Sequence, residues 1–573
     1  MRKVGLLLCA LALLASSCDR AEEVTRADPT EAADAFVAAW NALDFEDMDG
    51  YLDGEVASVL ERHHERVFEA GAVTDHEVTR AAAIERPTEE EFEGTSPVVV
   101  EVPFTLDFTS DASSSVASLE GGLELAYDAE TDAWAGEWTR DLLLPGIAGA
   151  HSLHVNTRWP RRASILARDR RPLARGPAAT RVYPQGASAG TTVGHIEPLS
   201  KKDVREDPAR GEAGDLVGAS GLEAAFQEQL AGTPTTRLQV VDRRGEVLED
   251  LGRSFGRPGR DLRTTLDIEV QRAAEGAYGA TVGGAVVMDP DSGDLLAVVS
   301  SSPFDPNNYV GVAGVEPFNR ALSGAYPPGS AMKVMTASAA LDTGVIKESS
   351  TLTGPGEYRG VRNFESGEFG SLDFATAVKF SVNTAFAQVA LKLGAKRITR
   401  YAEAFGFNRE PEMPLRAATS SFPFPEDEGD LMWGSIGQAQ TLATPLQMAT
   451  VAATVANGGK RMEPRIDMRS RPTGERVVKK KTAATMVRLM ENVVLGGTGT
   501  GASISGVSVA GKTGTAEVDV AGERRNHAWF ICFAPSDAPE VAVAVVSEYG
   551  GIGGQVAAPL ARGILVGVLP HVR

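Results

Sequence analysis

The sequence predicts a multidomain α+β chain whose last and largest domain is an antiparallel sheet packed with helices. Three observations carry this. At 573 residues the chain exceeds one ordinary domain and suggests roughly two to four. Its texture changes near residues 145 and 262. After residue 262, strand-like segments lie at both ends with helical segments between them, so the two ends are expected to pair in one sheet. Apolar residues make up 43% of the chain, enough for a large buried core. The formal net charge of −21 argues against a nucleic-acid binder, which needs a basic stripe to neutralise phosphates. No internal repeat or long low-complexity tract appears.

Residues 1–18 read as an export signal. Arg2 and Lys3 precede the apolar run "VGLLLCALALLA", which is shorter than the roughly 20 residues a spanning helix needs. "LLASSC" then has the form of a bacterial lipobox ending at Cys18, with Ala15 and Ser17 at the two positions before it that matter most. The expectation is a lipoprotein anchored through Cys18; a plainly cleaved signal and an uncleaved anchor are the alternatives. With Cys18 acylated, Cys532 is the only other cysteine of the mature chain, and no internal disulfide can form.

The stretch 21–144 runs helix first, strands later. "DPTEAADAFVAAWNALDFEDMDGYL" places apolar residues at helical spacing behind an Asp28-Pro29-Thr30 start signal. "PVVVEVPFTLDF", "GLELAYD" and "AWAGEWT" alternate like strands of a curved sheet. The stretch 145–261 is rich in Arg, Gly and Pro. Its strand-like pieces "RRASILARDRRPLARG", "GTTVGHI" and "LQVVDRRGEVLED", together with the helical "GLEAAFQEQLAG", suggest an extended spacer whose arginines are solvated or paired with acids. The stretch 262–573 begins with the helix "TTLDIEVQRAAEGAYGA". Two strands in "GGAVVMDPDSGDLLAVVSS" follow, joined by a turn at Asp291-Ser292-Gly293, and the chain ends with the strands of "VSVAGKTGTAEV", "HAWFICFAP" and "EVAVAVVSEYG".

Three short motifs in this last stretch carry chemistry. Ser330-x-x-Lys333 follows a Pro-Pro-Gly turn, and three residues on a helix bring both side chains to one face. A serine hydroxyl needs a base to become a nucleophile, and a lysine serves if burial and neighbouring charge keep it neutral. Alone the spacing equally fits Ser330 as a helix cap. Ser381-x-Asn383 could relay a proton and hold an amide, or simply open a helix. Lys512-Thr513-Gly514-Thr515 lies between strand-like residues, which suits a carboxylate-bearing peptide alongside. Gly506 and Gly511 complete the letters of a phosphate-binding loop, but Val507, Val509 and Val518 read as strand on both sides, whereas such a loop leads into a helix. The three motifs each occur once, in this order, within one predicted domain. Together they make Ser330 the candidate nucleophile.

On these motifs the chain resembles the class B penicillin-binding proteins, in particular those with an NTF2-like N-terminal domain, similar to the methicillin-resistance type. "TTLDIEVQRAAEGA", "YPPGSAMKV", "GQAQTLATPLQMATVAATVANGGK" and "VAGKTGTAEV" look like segments of their transpeptidase domain, and "GLEAAFQEQLAGTP" like the pedestal before it. The resemblance implies an NTF2-like α+β domain over 21–144, a β-rich dimerisation-type pedestal over 145–261 and a penicillin-binding, serine β-lactamase-like transpeptidase domain over 262–573. Two departures stand out. "RRASILARDRRPLA" lacks both glycines of the usual pedestal turn, and Gly437-Gln438-Ala439 replaces Gly-Gln-Gly.

The implied reaction is acyl transfer on the D-Ala-D-Ala end of peptidoglycan stem peptides. Ser330 would attack, with Lys333 as its base and the backbone N–H groups of Ser330 and Thr515 as the oxyanion hole. Ser381, supported by Lys512, would protonate the departing D-Ala. Asn383 would hold the peptide amide, and Thr513, Gly514 and Thr515 would bind the carboxylate-bearing end as an added strand. A second stem peptide's amine would resolve the acyl-enzyme, no metal or cofactor is required, and β-lactams would acylate the same serine. The implied location is the outer face of the bacterial cytoplasmic membrane. The membrane glycosyltransferase that class B enzymes pair with through a transmembrane helix would here be absent or met by the pedestal alone. A D,D-carboxypeptidase, a β-lactamase-like hydrolase and a non-catalytic β-lactam sensor are the competing readings. The first two share the motifs and send the acyl group to water; the third would tolerate losing them.

Overall fold

Asp28 opens the first helix as a side-chain cap, accepting a hydrogen bond from Thr30 N at 2.8 Å, with Pro29 at the first helical position. The computed structural model describes residues 26–572 apart from 208–209, 302–303 and 309–317; the signal run and Cys18 lie outside the described residues. Two compact units are distinct, one made of residues 26–159 with Pro234–Arg257, the other of Pro160–Thr233 with Pro258–Arg573.

In the first unit the helix Pro29–Ala42 ends at Leu43, which takes a left-handed conformation (φ 55°). A second short helix, Phe45–Asp49, therefore replaces the continuous one the spacing predicts. The helix Ala57–Ala70 and the strand Val73–Arg80 follow. The long strands Val99–Ser110 and Ala117–Asp128 then pair residue for residue, and Ala133–Gly136 completes a four-stranded antiparallel sheet. Strict alternation along Val99–Ser110 puts Val100, Val102, Phe104, Leu106 and Phe108 into the core with Trp40 and Phe36. A three-stranded sheet of Val247–Ser254, Thr235–Val241 and Ser152–Arg158 shares that core through Leu153, Leu238 and Val240. Residues 235–254 thus pack here, although they lie inside the spacer stretch 145–261. Pairing with Ser152–Arg158, some 80 positions earlier, is a contact no local pattern announces.

The second unit holds the rest of that stretch. "GTTV", read as strand, is a helical turn (Gly190–Val193) that leads into the short strand Ile196–Pro198. Arg162 and Arg181 are not solvated. Their guanidinium groups grip the fully buried Glu223 from both sides at 2.8 and 2.7 Å, an arrangement in which removing one partner would strand a buried charge. Despite its missing glycines the turn after Ile165 forms: Ala167 N and Arg171 O bond at 2.9 Å, and Arg170 occupies the left-handed position itself (φ 70°).

The main sheet has five strands in the order Leu295–Ser300, Gly283–Met288, Val541–Ser547, Glu523–Ala534, Ala510–Val520, with every neighbouring pair antiparallel. Gly283–Met288 pairs with Val541–Ser547 across more than 250 residues, so the two ends of the domain close one sheet, as the strand placement predicts. Asp267 caps the helix Ile268–Tyr278, which packs with the terminal helix Ala557–Val568 on one face. On the other lie the central helices, including the almost wholly buried Pro445–Ala456. No described helix is long and apolar enough to cross a membrane. Cys532 is a free, buried thiol in the main sheet.

Candidate active site

The sequence places Ser330 at a helix start; the structure places it in a tight 3-10 turn, Gly329–Met332, that feeds the helix Lys333–Asp342. Neither element uses a serine side-chain cap, and the Ser330 hydroxyl makes no hydrogen bond to any described residue. The turn is fixed from several sides. Tyr326 exchanges backbone bonds with Ala443, Pro327 O accepts from Trp529 Nε1 at 2.9 Å, and Gly329 N donates to Gly437 O at 2.8 Å. Two glycines allow the approach. A Cβ on Gly329 (φ 52°) would lie 2.6 Å from Thr515 O, and one on Gly514 would lie 2.6 Å from Pro328 O. The Ser330 turn and the Lys-Thr-Gly strand are therefore in backbone contact.

Lys333 starts its helix fully buried, at 1% exposure, and Lys512 in the strand Ala510–Val520 is buried at 0%. Both amines converge on one serine. Lys333 Nζ lies 3.2 Å and Lys512 Nζ 2.9 Å from Ser381 Oγ. Lys333 also donates to Ser381 O at 2.7 Å and to Asn383 Oδ1 at 2.5 Å, while Lys512 donates to Thr513 O at 3.0 Å. Asn383 is oriented by its own Nδ2, which donates to Arg362 O at 2.7 Å. Ser381 presents its carbonyl by adopting a left-handed conformation (φ 58°), strained for a residue with a Cβ, just ahead of the helix Asn383–Leu393.

Neither lysine has a carboxylate partner among the described ion pairs. Burial, and next the neighbouring Lys512 charge, hold the Lys333 amine well below the ordinary lysine range; burial alone pushes Lys512 down to about 7. A neutral Lys333 fits its contacts. Two N–H groups serve the acceptor-only Ser381 O and Asn383 Oδ1, and the lone pair is left for a hydroxyl proton. Spacing alone predicts Lys333 beside Ser330 Oγ, whereas the hydrogen bonds of the amine go to Ser381 and Asn383.

The Lys512 shift gives a stability prediction. The unfolded chain binds the Lys512 proton up to about 10.5 and the folded chain only up to about 7, so the unfolded state holds more protons between those values. Stability is then expected to rise with pH across that window and to be lowest below it. Calorimetric melting from pH 7 to 9.5 should show the rise, and Lys512→Met should make it shallower, leaving the share that the buried Lys333 contributes in the same direction.

Of the residues predicted from sequence, Lys333, Ser381, Asn383, Lys512 and Thr513 form one bonded cluster. Gly514 and Thr515 adjoin the Ser330 turn, and Cys18 lies outside the described residues. Sequence reasoning missed others. Thr498 Oγ1 shares a hydrogen bond with Thr513 Oγ1 at 2.7 Å, and Gly553 N donates to Thr515 Oγ1 at 3.1 Å, so a loop from each side joins the Lys-Thr-Gly strand. The glycine runs "LGGTGTG" and "YGGIGG" are the only signals that could have pointed there. That strand is the sheet edge, bonded on one side only, and keeps backbone groups available for an added strand. Among the described residues, no cluster of three or more His, Cys, Asp or Glu could hold a metal.

The chain is similar to known proteins in sequence and in fold. Residues 283–566 match the penicillin binding protein transpeptidase domain, and residues 160–264 match the penicillin-binding protein dimerisation domain. The chain is 30% identical over 435 residues to the peptidoglycan D,D-transpeptidase MrdA of Acinetobacter baumannii, a match covering 66% of this chain and 64% of that protein. It is 35% identical over 382 residues to the peptidoglycan D,D-transpeptidase PbpA of Mycobacterium tuberculosis, covering 58% of this chain and 77% of the relative. Among solved structures, PBPA from Mycobacterium tuberculosis superimposes with a TM-score of 0.59 at 31% identity, over 72% of this chain and 99% of that one. PBP2 of Pseudomonas aeruginosa, solved with WCK 5153, gives a TM-score of 0.62 at 28% identity, over 73% and 97%. An imipenem acyl-enzyme complex of penicillin-binding protein A from M. tuberculosis matches at a TM-score of 0.58 and 30% identity, over 72% and 98%.

Proposed function

The chain belongs to the penicillin-binding protein transpeptidases, and we propose that it works as one: a serine D,D-transpeptidase that cross-links peptidoglycan stem peptides outside the cytoplasm. The observation that carries this reading is the meeting of Ser381 Oγ with two buried lysines, one from each of the flanking motifs, beside the turn that bears Ser330. Ser330 Oγ attacks the carbonyl of the penultimate D-Ala, and neutral Lys333 accepts the proton. The backbone N–H groups of Ser330 and Thr515 meet the oxyanion, where fixed donors act without reorganising. Ser381, bridging Lys333 and Lys512, returns a proton to the departing D-Ala nitrogen, and Lys512 stabilises the charge that moves. Asn383 holds the peptide amide. Thr513 and Thr515, on the open strand edge with Gly514 between them, take the terminal carboxylate, joined by Thr498. An amine from a second stem peptide then takes the acyl group and frees Ser330. β-Lactams acylate the same serine.

The finer assignments belong to the same reading. Residues 21–144 form an NTF2-like domain, supported by helices preceding a long-stranded antiparallel sheet, and the similarity to the methicillin-resistance type goes with it. Residues 145–261 act as pedestal, 262–573 as transpeptidase domain, and 1–18 as a lipoprotein signal that anchors Cys18 to the membrane; any membrane glycosyltransferase partner is met through the pedestal.

Incubation with a D-Ala-D-Ala peptide and an excess of a D-amino acid tests the reaction. The exchange product is expected to exceed the hydrolysed peptide. Hydrolysis as the main outcome would move the assignment to a carboxypeptidase.

A further inference from the structure

A part-buried carboxylate behind the nucleophile turn has no part in the reaction just described. Glu548 follows the strand Val541–Ser547, its backbone N–H held by Val282 O at 2.8 Å and its side chain only 16% exposed. One oxygen, Oε1, accepts both the Tyr326 hydroxyl at 2.5 Å and Arg320 Nε at 2.9 Å. Tyr326 is the entry to the nucleophile turn. It lies three residues before Gly329, and its ring meets His527 and Trp529 edge-on at 5.2 and 6.1 Å. In the other direction Glu548 begins the loop that joins the Lys-Thr-Gly strand. Tyr549 N donates to His527 Nδ1 at 3.2 Å, Gly551 N to Asn526 O at 3.1 Å, and Gly553 N to Thr515 Oγ1 at 3.1 Å. His527 sits across from Ala516, the neighbour of Thr515, on the paired strand.

We propose that Glu548 is a positioning residue that ties the Ser330 turn, through Tyr326, to the loop and strand that supply Thr515. Tyr549 holds a left-handed conformation (φ 52°) immediately after it, a strain that persists only if the surroundings fix both sides. The two N–H donors of the oxyanion hole, from Ser330 and Thr515, sit on the two bodies this carboxylate joins. Their spacing must hold within about 0.5 Å for the site to work. The proposal rests on the acyl-transfer reading of Ser330.

The test separates the two steps of penicillin reaction, reversible binding and acylation, in the full chain. Tyr326→Phe removes only the hydroxyl, and Glu548→Ala removes the acceptor. Each is expected to lower the acylation rate constant about tenfold with reversible binding unchanged. The double variant should be no slower than Glu548→Ala, because both changes cut one link. Glu548→Gln keeps an Oε1 that can accept from both partners and should restore most of the rate. The rate constant is read only on molecules that become labelled, so an unfolded fraction does not mimic the effect. An unchanged rate constant in Tyr326→Phe and Glu548→Ala overturns the proposal, as does additive loss in the double variant; a melting temperature that falls with rates intact would mark a purely structural ion pair. Failure of the underlying reading would look different: wild type and Ser330→Ala would label alike.

Discussion

Lys333→Met is expected to slow acylation by about 10²–10⁴-fold, the usual contribution of a positioned general base, while leaving the fold as stable or raising its melting temperature. The two effects have one cause. Lys333 is buried at 1% exposure, and the Phe386 ring lies 5.2 Å from its amine. No carboxylate compensates it among the described ion pairs, so the site keeps the amine neutral at a cost in stability. Methionine has similar length and fills the same space without the polar group. It removes the proposed base for the Ser330 proton and leaves Ser381 O and Asn383 Oδ1 without their donor, which offsets part of the stability gain. Stopped-flow acylation and calorimetry on the same preparation check both halves. A melting temperature several degrees lower with an unchanged rate would mean that Lys333 is structural.

Gly437→Ala is the second large effect expected, at a residue that touches no substrate in the proposed mechanism. Gly437 has φ 77°, and a Cβ there would lie 2.2 Å from Gly329 O and 2.8 Å from both Gly329 N and Met332 Cβ. Those neighbours are mostly backbone of the nucleophile turn, so they cannot rotate out of the way. The left-handed conformation costs about 1–2 kcal/mol and the crowding about 1–3 kcal/mol more. The turn must move by a substantial fraction of an ångström, breaking the 2.8 Å bond from Gly329 N to Gly437 O, and displacement on that scale can cost about 100-fold in rate. Ala439→Gly serves as control. Ala439 is exposed and also left-handed (φ 56°), so glycine there should relieve strain and leave acylation unchanged.

The reach of the sequence is clearest at this turn. The three motifs named in the sequence include Lys333, Ser381, Asn383 and Lys512, which the fold brings together from a helix start, a turn before a second helix and the edge strand of the main sheet. The aim of the Lys333 amine was not legible: spacing fixes which helix face a side chain leaves from, while its target depends on the left-handed turn at Ser381, which carries no glycine to announce it. Thr498 and Gly553 lie in loops, 15 and 38 positions from the threonines they meet, with no periodicity to place them. In the first unit, alternation marked most of the strand Val99–Ser110 and the second half of Ala117–Asp128. It could not show that Thr235–Val241 returns to pair with Ser152–Arg158, since strand pairing over that distance is set by the packed core. The Arg162–Glu223–Arg181 group shows the same limit for charge: composition suggests arginines that are solvated or paired with acids, and only tertiary packing shows which two pair with one buried acid.

The central claim is that Ser330 carries the acyl group. The most direct measurement is labelling of the full chain with a fluorescent penicillin, wild type beside Ser330→Ala, with the labelled peptide located by mass spectrometry. One stable adduct per molecule on the peptide containing Ser330, and none in Ser330→Ala, is the predicted result. Equal labelling of the two proteins, or an adduct on any other peptide, would contradict it.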